Sequence, residues 1–209
     1  LIRRILMTHH KLNTPLDEQT MRSLKVGDLV TIDGHIFGMR DRNMIHIFDE
    51  GNEPPVDLNG FPIIHTAPSL RKVGEKWEKI IIGTTTSTRM DRFSPPLMEK
   101  YGVRAIIGKA GLYQGSLDAM KRFGACYLAI VGGAAALETQ QIEEVEEVYW
   151  PELHPEAIYK FRVKDFGPLI VAMDSHGDSL YTAVKDEVMK NLPEAYKKLG
   201  IRVKGEIRV

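Results

Sequence analysis

Ala105-Ile106-Ile107-Gly108, a helical stretch from about Ser116 to Phe123, and Ala125-Cys126-Tyr127-Leu128-Ala129-Ile130-Val131 follow one another along the chain. They read as buried strand, helix, buried strand. A helix between two such strands returns the second beside the first in the same direction, the unit from which parallel sheets are built. Upstream, Ser94-Pro95-Pro96-Leu97-Met98-Glu99-Lys100-Tyr101-Gly102 is a helix with prolines in its first turn and a glycine at its end, and Phe61 to Thr66 and Trp77 to Ile82 read as strands. Downstream, Ala134 to Leu137 begins a helical stretch expected to run into the acidic segment Glu143-Glu144-Val145-Glu146-Glu147, whose charges form a solvated face. Pro168 to Met173 is a further apolar strand. Leu180 to Leu199 is the longest helical pattern, restarted or kinked at Pro193, and Ile201 to Val209 alternates like an edge strand. From about residue 77 onward strands alternate with helices, which predicts an α/β core with parallel strands.

The first 66 residues are richer in strands. Leu1 to His10 reads as an opening strand, not a signal peptide, because its apolar stretch is short and no cleavage-like site follows. Thr14-Pro15-Leu16-Asp17-Glu18 predicts a helix with Thr14 as cap, ending near Lys25-Val26-Gly27-Asp28. Leu29 to Ile32 and His35 to Met39 flank Asp33-Gly34 and predict a hairpin. Arg40 to Asp49 is helical with Met44, Ile45 and Phe48 on one side, and residues 50–60 form a loop. No linker and no repeat divides the chain, so residues 1–209 are expected to be a single domain.

Composition narrows the function. Lys+Arg and Asp+Glu balance at 28 each, which leaves no basic field for nucleic acid. No apolar run approaches the roughly 18 residues of a membrane span, so a cytoplasmic protein is expected. The chain has one cysteine, Cys126, too few for an internal disulfide, an iron–sulfur cluster or a structural zinc. Set among apolar residues it reads as a small buried hydrophobe, and any redox metal must come from another chain.

The densest chemical signal is Gly83-Thr84-Thr85-Thr86-Ser87-Thr88-Arg89-Met90-Asp91, after an apolar strand. Glycine lets a ligand approach the backbone, the hydroxyls and free amides are hydrogen-bonding groups, and Arg89 can grip a carboxylate with two parallel bonds. The other reading is a hydroxyl-rich helix cap with Arg89 on the surface. Gly108-Lys109-Ala110-Gly111 repeats the pattern of buried strand, glycine and cation. If both strands are parallel, Lys109 emerges beside Arg89, and two converging cations suit a dicarboxylate. The spacing of a phosphate-binding P-loop is absent. Asp174-Ser175-His176-Gly177-Asp178 reads as a turn with a cap, and His9, His10 and His65 read as structural histidines.

The ordered series Gly83-x-Thr85-Thr86-x-x-Arg89-Met90-Asp91, Gly108-Lys109 and Gly124 through Gly132-Gly133-Ala134 resembles the C-terminal region of class I fumarases. That region is a separate beta subunit in split fumarases and in L-tartrate dehydratase. The similarity spans roughly Thr14 to Tyr181. It implies a swivelling β/β/α three-layer domain with a mixed, partly parallel sheet, closing over substrate. It also implies a [4Fe–4S] hydro-lyase whose cluster is held by an alpha subunit through three cysteines, so that this chain binds no metal. The partner is that alpha subunit, in a hetero-oligomer. Carried over by motif, Thr85 and Thr86 contact substrate, Thr85 takes part in proton abstraction, and Arg89 and Lys109 hold the carboxylates. Arg40, in Gly38-Met39-Arg40-Asp41, corresponds to a further substrate arginine. The nearest histidine after it is His46, later than the family pattern has one, and Thr84 stands where many relatives carry proline. The resemblance favours fumarate hydratase, a tricarboxylic acid cycle activity, with L-tartrate dehydratase as the alternative. Two further readings are a non-catalytic swivel module that binds a small anion, and a stand-alone enzyme using Asp174 and His176.

Overall fold

The computed structural model describes residues 7–201. Most of the expected opening strand before His9 and the expected edge strand after Ile201 lie outside the described residues. Along the chain run β1 (His9–Asn13), α1 (Glu18–Ser23), β2 (Leu29–Met39), α2 (Asp41–Phe48), β3 (Pro62–His65), β4 (Ser69–Val73) and β5 (Lys76–Ile81). After a 3-10 helix at Ser87–Phe93 come α3 (Ser94–Tyr101), β6 (Ala105–Gly108), α4 (Gln114–Phe123), β7 (Cys126–Ala129), α5 (Ala135–Gln141) and β8 (Ile142–Tyr149). A second 3-10 helix, Pro151–Glu156, precedes β9 (Ile158–Met173) and α6 (Leu180–Lys198).

The strands form one mixed sheet in the order β1-β2-β3-β6-β7-β9-β8-β5-β4. Neighbours from β1 to β7 are parallel, and every pairing of β4, β5, β8 and β9 is antiparallel. The parallel set therefore begins far upstream of residue 77, and only β6 and β7 of the later strands belong to it. Strand β2 also pairs antiparallel with β9, so β2, β3, β6, β7 and β9 close a circuit.

The four-residue strands in this circuit are buried, save for the half-buried Ala129 at the end of β7, because each feeds two cores. Ile64, Ile107, Cys126 and Leu128 point to one cluster, shared with Ile36, Phe161, Phe166 and Val171 from the long strands β2 and β9. Ile63, Ile106 and Tyr127 point the other way, onto Met44 and Ile47 of α2, Leu97 and Met98 of α3, and Leu117 and Met120 of α4. Alternate residues of an extended chain face opposite sides, so apolar residues at consecutive positions are what two covered faces require. Ile106 is fully buried in the second cluster. Ile106→Ala is expected to lower stability by about 2–5 kcal/mol in chemical denaturation, the cost of lost burial plus a cavity the short strand cannot collapse.

Three expectations fail for local reasons. Asp33-Gly34 makes no hairpin, because β2 runs straight through it. Gly34 sits at φ +106°, and a Cβ there would lie 2.4 Å from Thr14 Oγ1, which accepts from the His35 amide at 2.6 Å. The glycine admits the close approach of Thr14 at the end of the parallel neighbour β1, and the ladder with β9 shifts register on either side of Ile32. Thr14, so engaged, does not cap α1. Asp17 does, its Oδ1 accepting from Thr20 N at 2.7 Å. The acidic segment is strand β8, not the end of a helix. Ile142 and Val145 face inward three residues apart, a helical spacing that a strand achieves here through register shifts at Ile142/Glu144 and Val145/Glu147. Its charges do form a solvated face, with Glu144 and Glu146 on Arg162 at 2.7 and 3.1 Å.

Candidate active site

The candidate residues collect where the parallel strands end. Arg40 follows β2, Thr66 follows β3 and Lys109 follows β6, the carboxyl ends at which open α/β sheets place ligands. The threonine segment arrives from elsewhere. Strand β5 pairs antiparallel with β4 and β8, remote in the sheet order from β6, so the segment has no parallel strand of its own. It crosses the strand ends instead: Thr84 bridges Thr66, and Thr86 bridges Lys109 in parallel register. Thr85 N donates to His65 O at 2.7 Å, and Ser87 N donates to Lys109 O at 2.9 Å. The threonine segment therefore lies against Lys109, although the parallel neighbouring strand expected to bring Arg89 beside it is not there.

The 3-10 helix sets which way Arg89 points. With about three residues per turn, Ser87, Met90 and Phe93 share one face, and these three are its buried residues. Arg89 is thus turned outward, its side chain 52% exposed, with Nη2 3.1 Å from Asp41 Oδ2. Arg40 approaches the same oxygen, Nε to Oδ2 at 3.5 Å. Asp41 therefore stands between the two arginines. Arg40 Nε is buried and makes no hydrogen bond, although Asp41 and Glu156 (3.7 Å) lie within ion-pair range. A buried donor without an acceptor is costly, and an incoming carboxylate oxygen would satisfy it.

Beneath the segment lies a tight contact. Ser87 is fully buried and its Oγ accepts from Tyr127 Oη at 2.9 Å. A Cβ at Gly108 would lie 1.9 Å from that oxygen, so this position requires glycine. Burial pushes the Tyr127 phenol well above its ordinary value, which keeps it a hydrogen-bond donor. Asp91 caps α4, its Oδ1 accepting from Tyr113 N and Ser116 Oγ, both at 2.7 Å. Thr85 is half-buried, and its hydroxyl donates to His65 O at 3.2 Å. That leaves the lone pairs of its oxygen free.

The remaining candidates separate from this group. His46 Nδ1 lies 2.5 Å from Glu50 Oε2, and its ring sits edge-on to Trp150. Asp174 is buried in a turn, accepting from His176 N, Asp178 N and Val26 N at 2.9–3.0 Å, while His176 is exposed. His65, read as a structural histidine, is fully buried with both ring nitrogens unpartnered, and burial lowers it to about 3. Glu138 of α5, which the sequence reading did not single out, is buried under the threonine segment. Cys126 does not suit a cluster: it is fully buried, and burial pushes its thiol up to about 12, whereas cluster ligands are thiolates. Among the described residues no helix is long and apolar enough to cross a membrane.

Fold and site together define a mixed α/β domain that presents arginine, lysine and threonine side chains around the carboxyl ends of its parallel strands. The family model for the fumarase C-terminus matches residues 5–184, and the chain belongs to that family. It is 38% identical over 170 residues to the L(+)-tartrate dehydratase subunit beta of Escherichia coli strain K12, covering 81% of this chain and 85% of that subunit. It is 40% identical over 184 residues to a protein of Methanocaldococcus jannaschii provisionally named L(+)-tartrate dehydratase subunit beta, covering 86% and 94%. A Geobacillus stearothermophilus protein provisionally named class I fumarate hydratase is 41% identical over 185 residues, covering 88% of this chain but 35% of that longer one.

Proposed function

We propose that this chain is the beta subunit of a class I hydro-lyase that adds or removes water across a four-carbon dicarboxylate. The observation that carries the reading is the gathering of Arg40, Arg89 and Lys109 at the strand ends, with Thr85 and Thr86 between them in the fold. Substrate carboxylates exchange with Asp41 for the arginines and meet Lys109 on the other side of the threonine segment. Removing a proton from the carbon beside a carboxylate pushes negative charge onto that carboxylate, and fixed cations stabilise this more than they stabilise the ground state. Thr85 donates its O–H to the His65 carbonyl here; to take a proton it must turn that O–H to a carboxylate on the alpha subunit, which receives the hydroxyl proton as the threonine oxygen receives the substrate's. Nothing among these residues suits a [4Fe–4S] cluster. In this reading the alpha subunit holds it, and the 1–209 unit swivels as one domain to complete a shared cytoplasmic site.

Fumarate hydration is our principal reading, on the motif series around Thr85, Arg89 and Lys109. Tartrate dehydration is the second, favoured by the names of the stand-alone subunits that this chain matches over most of their length. The test is turnover of fumarate and of L-tartrate by this chain alone and by this chain mixed with an anaerobically reconstituted alpha subunit. Turnover in the mixture only is expected, and the preferred substrate selects between the two readings. Turnover by this chain alone, or none in a mixture with a loaded cluster, overturns the shared-site model.

A further inference from the structure

Helix α5 grips the backbone that leads into the threonine segment at three successive residues. Thr139 Oγ1 accepts from Ile82 N at 2.8 Å. Gly83 lies so close to the helix that a Cβ there would come within 2.6 Å of Ala135 Cβ. Glu138 Oε2 accepts from Thr84 N at 3.0 Å. From the opposite side Thr66 Oγ1 donates to Gly83 O at 2.8 Å. The backbone just before Thr85 and Thr86 is thereby fixed from both flanks.

Glu138 is the unusual member of this clamp. The residue is 2% exposed, and its carboxylate has no ion-pair partner within 4 Å among the described residues. A glutamine would accept the same amide bond without the cost of burying a charge. What the carboxylate adds is charge on the segment that also borders Lys109: Glu138 holds the Thr84 amide, and Thr86, two residues on, bridges Lys109. Burial raises the carboxyl above its ordinary value, while the Thr84 amide and then Lys109 draw it back down.

We propose that Glu138 is a positioning residue for the dicarboxylate site: it holds the Thr84 amide, which sets where Thr85 and Thr86 stand, and its charge offsets that of Lys109 until an anionic substrate arrives. The kinetic part of this inference rests on the proposed hydro-lyase function, and the exchange part does not. Binding a dianion beside Lys109 must overcome the repulsion of Glu138, so the residue sets affinity as well as geometry.

Two variants separate the roles. Glu138→Ala removes both acceptor and charge, and Glu138→Gln keeps an acceptor oxygen and removes the charge. In the isolated chain, Glu138→Ala is expected to speed amide exchange across residues 84–86 by about tenfold or more, with Glu138→Gln near the unmodified chain. In the two-chain enzyme, Glu138→Ala is expected to lose kcat by about tenfold to a hundredfold through misplacement of the threonines. Glu138→Gln should restore most of that kcat and lower KM on the order of threefold, because the repulsion is gone. A purely structural residue would not split kcat from KM in this way. Unchanged exchange in Glu138→Ala, or an unchanged KM in Glu138→Gln, overturns the proposal. If the two-chain enzyme turns over no dicarboxylate, the functional reading falls, and the exchange result still decides whether Glu138 clamps the segment.

Discussion

Lys109→Ala is expected to lower kcat/KM of the two-chain enzyme by roughly 10²–10³-fold, the usual cost of removing one fixed group aimed at developing charge. Lys109 is half-buried, and its backbone is held by Thr86 and Ser87, so no neighbouring residue can slide into its place. Arg89→Ala should fall at the lower end of that range. Its side chain is half in solvent, and Asp41, once released, remains paired with Arg40. Arg89→Lys is informative because it keeps the charge but loses the planar fork, and at a bidentate site it should recover little. Each variant should retain its unfolding midpoint to within a degree or two, since exposed ion pairs contribute little stability. Near-wild-type kcat/KM in both alanine variants would remove the cations from the mechanism.

The second large effect concerns stability in acid. His65 is fully buried, neither ring nitrogen has a partner, and burial lowers its folded value to about 3. An unfolded imidazole titrates near about 6.5. Below that pH the unfolded chain takes up a proton that the folded chain refuses. Stability from this source is complete above about 6.5 and is lost as pH falls towards 3, with a slope near 1.4 kcal/mol per pH unit. Paired carboxylates such as Asp49, held low by Arg92, add their own acid slope at lower pH. The quantity to read is therefore the difference between the unmodified chain and His65→Leu in urea midpoints from pH 7 to pH 4. The variant should be at least as stable at pH 7, having lost two unpartnered polar atoms, and should decline far less on acidification. Parallel acid slopes in the two proteins would show that the ring is not held neutral by burial.

Much of this architecture was legible because short apolar runs have few uses. Ala105 to Gly108 read correctly as a buried strand, Ala125 to Val131 as a strand that the fold confines to Cys126–Ala129, and Ser94 to Tyr101 as a helix closed by Gly102, which lies in the left-handed region. The antiparallel half was harder. Strand β9 was visible only from Pro168, because Lys160, Arg162, Lys164 and Asp165 interrupt the apolar signal upstream, although Phe161 and Val163 alternate with the first of these charges. Asp33-Gly34 misled because a glycine that admits a closely approaching neighbour looks the same as a glycine that turns the chain. At the site, Thr85, Thr86, Arg89 and Lys109 stood out by motif. His65 and Glu138 did not, since nothing local distinguishes a buried titratable group from an exposed one. Their burial comes from strands and helices distant in sequence.

The seat of Ser87 on Gly108 has a consequence for how such chains can vary. A methyl group at residue 108 and a hydroxyl at residue 87 claim the same space, and that hydroxyl is also the partner of the Tyr127 phenol. Any lineage that gains a side chain at 108 must first shed the one at 87, and in doing so strands a buried phenol. Substitutions at these three positions are therefore passable only as a set and in a restricted order, although the residues are far apart along the chain. For anyone reshaping the neighbouring Lys109 for a different anion, the accessible route runs through the cation itself and the α5 side of the threonine segment, with Ser87, Gly108 and Tyr127 left as they are.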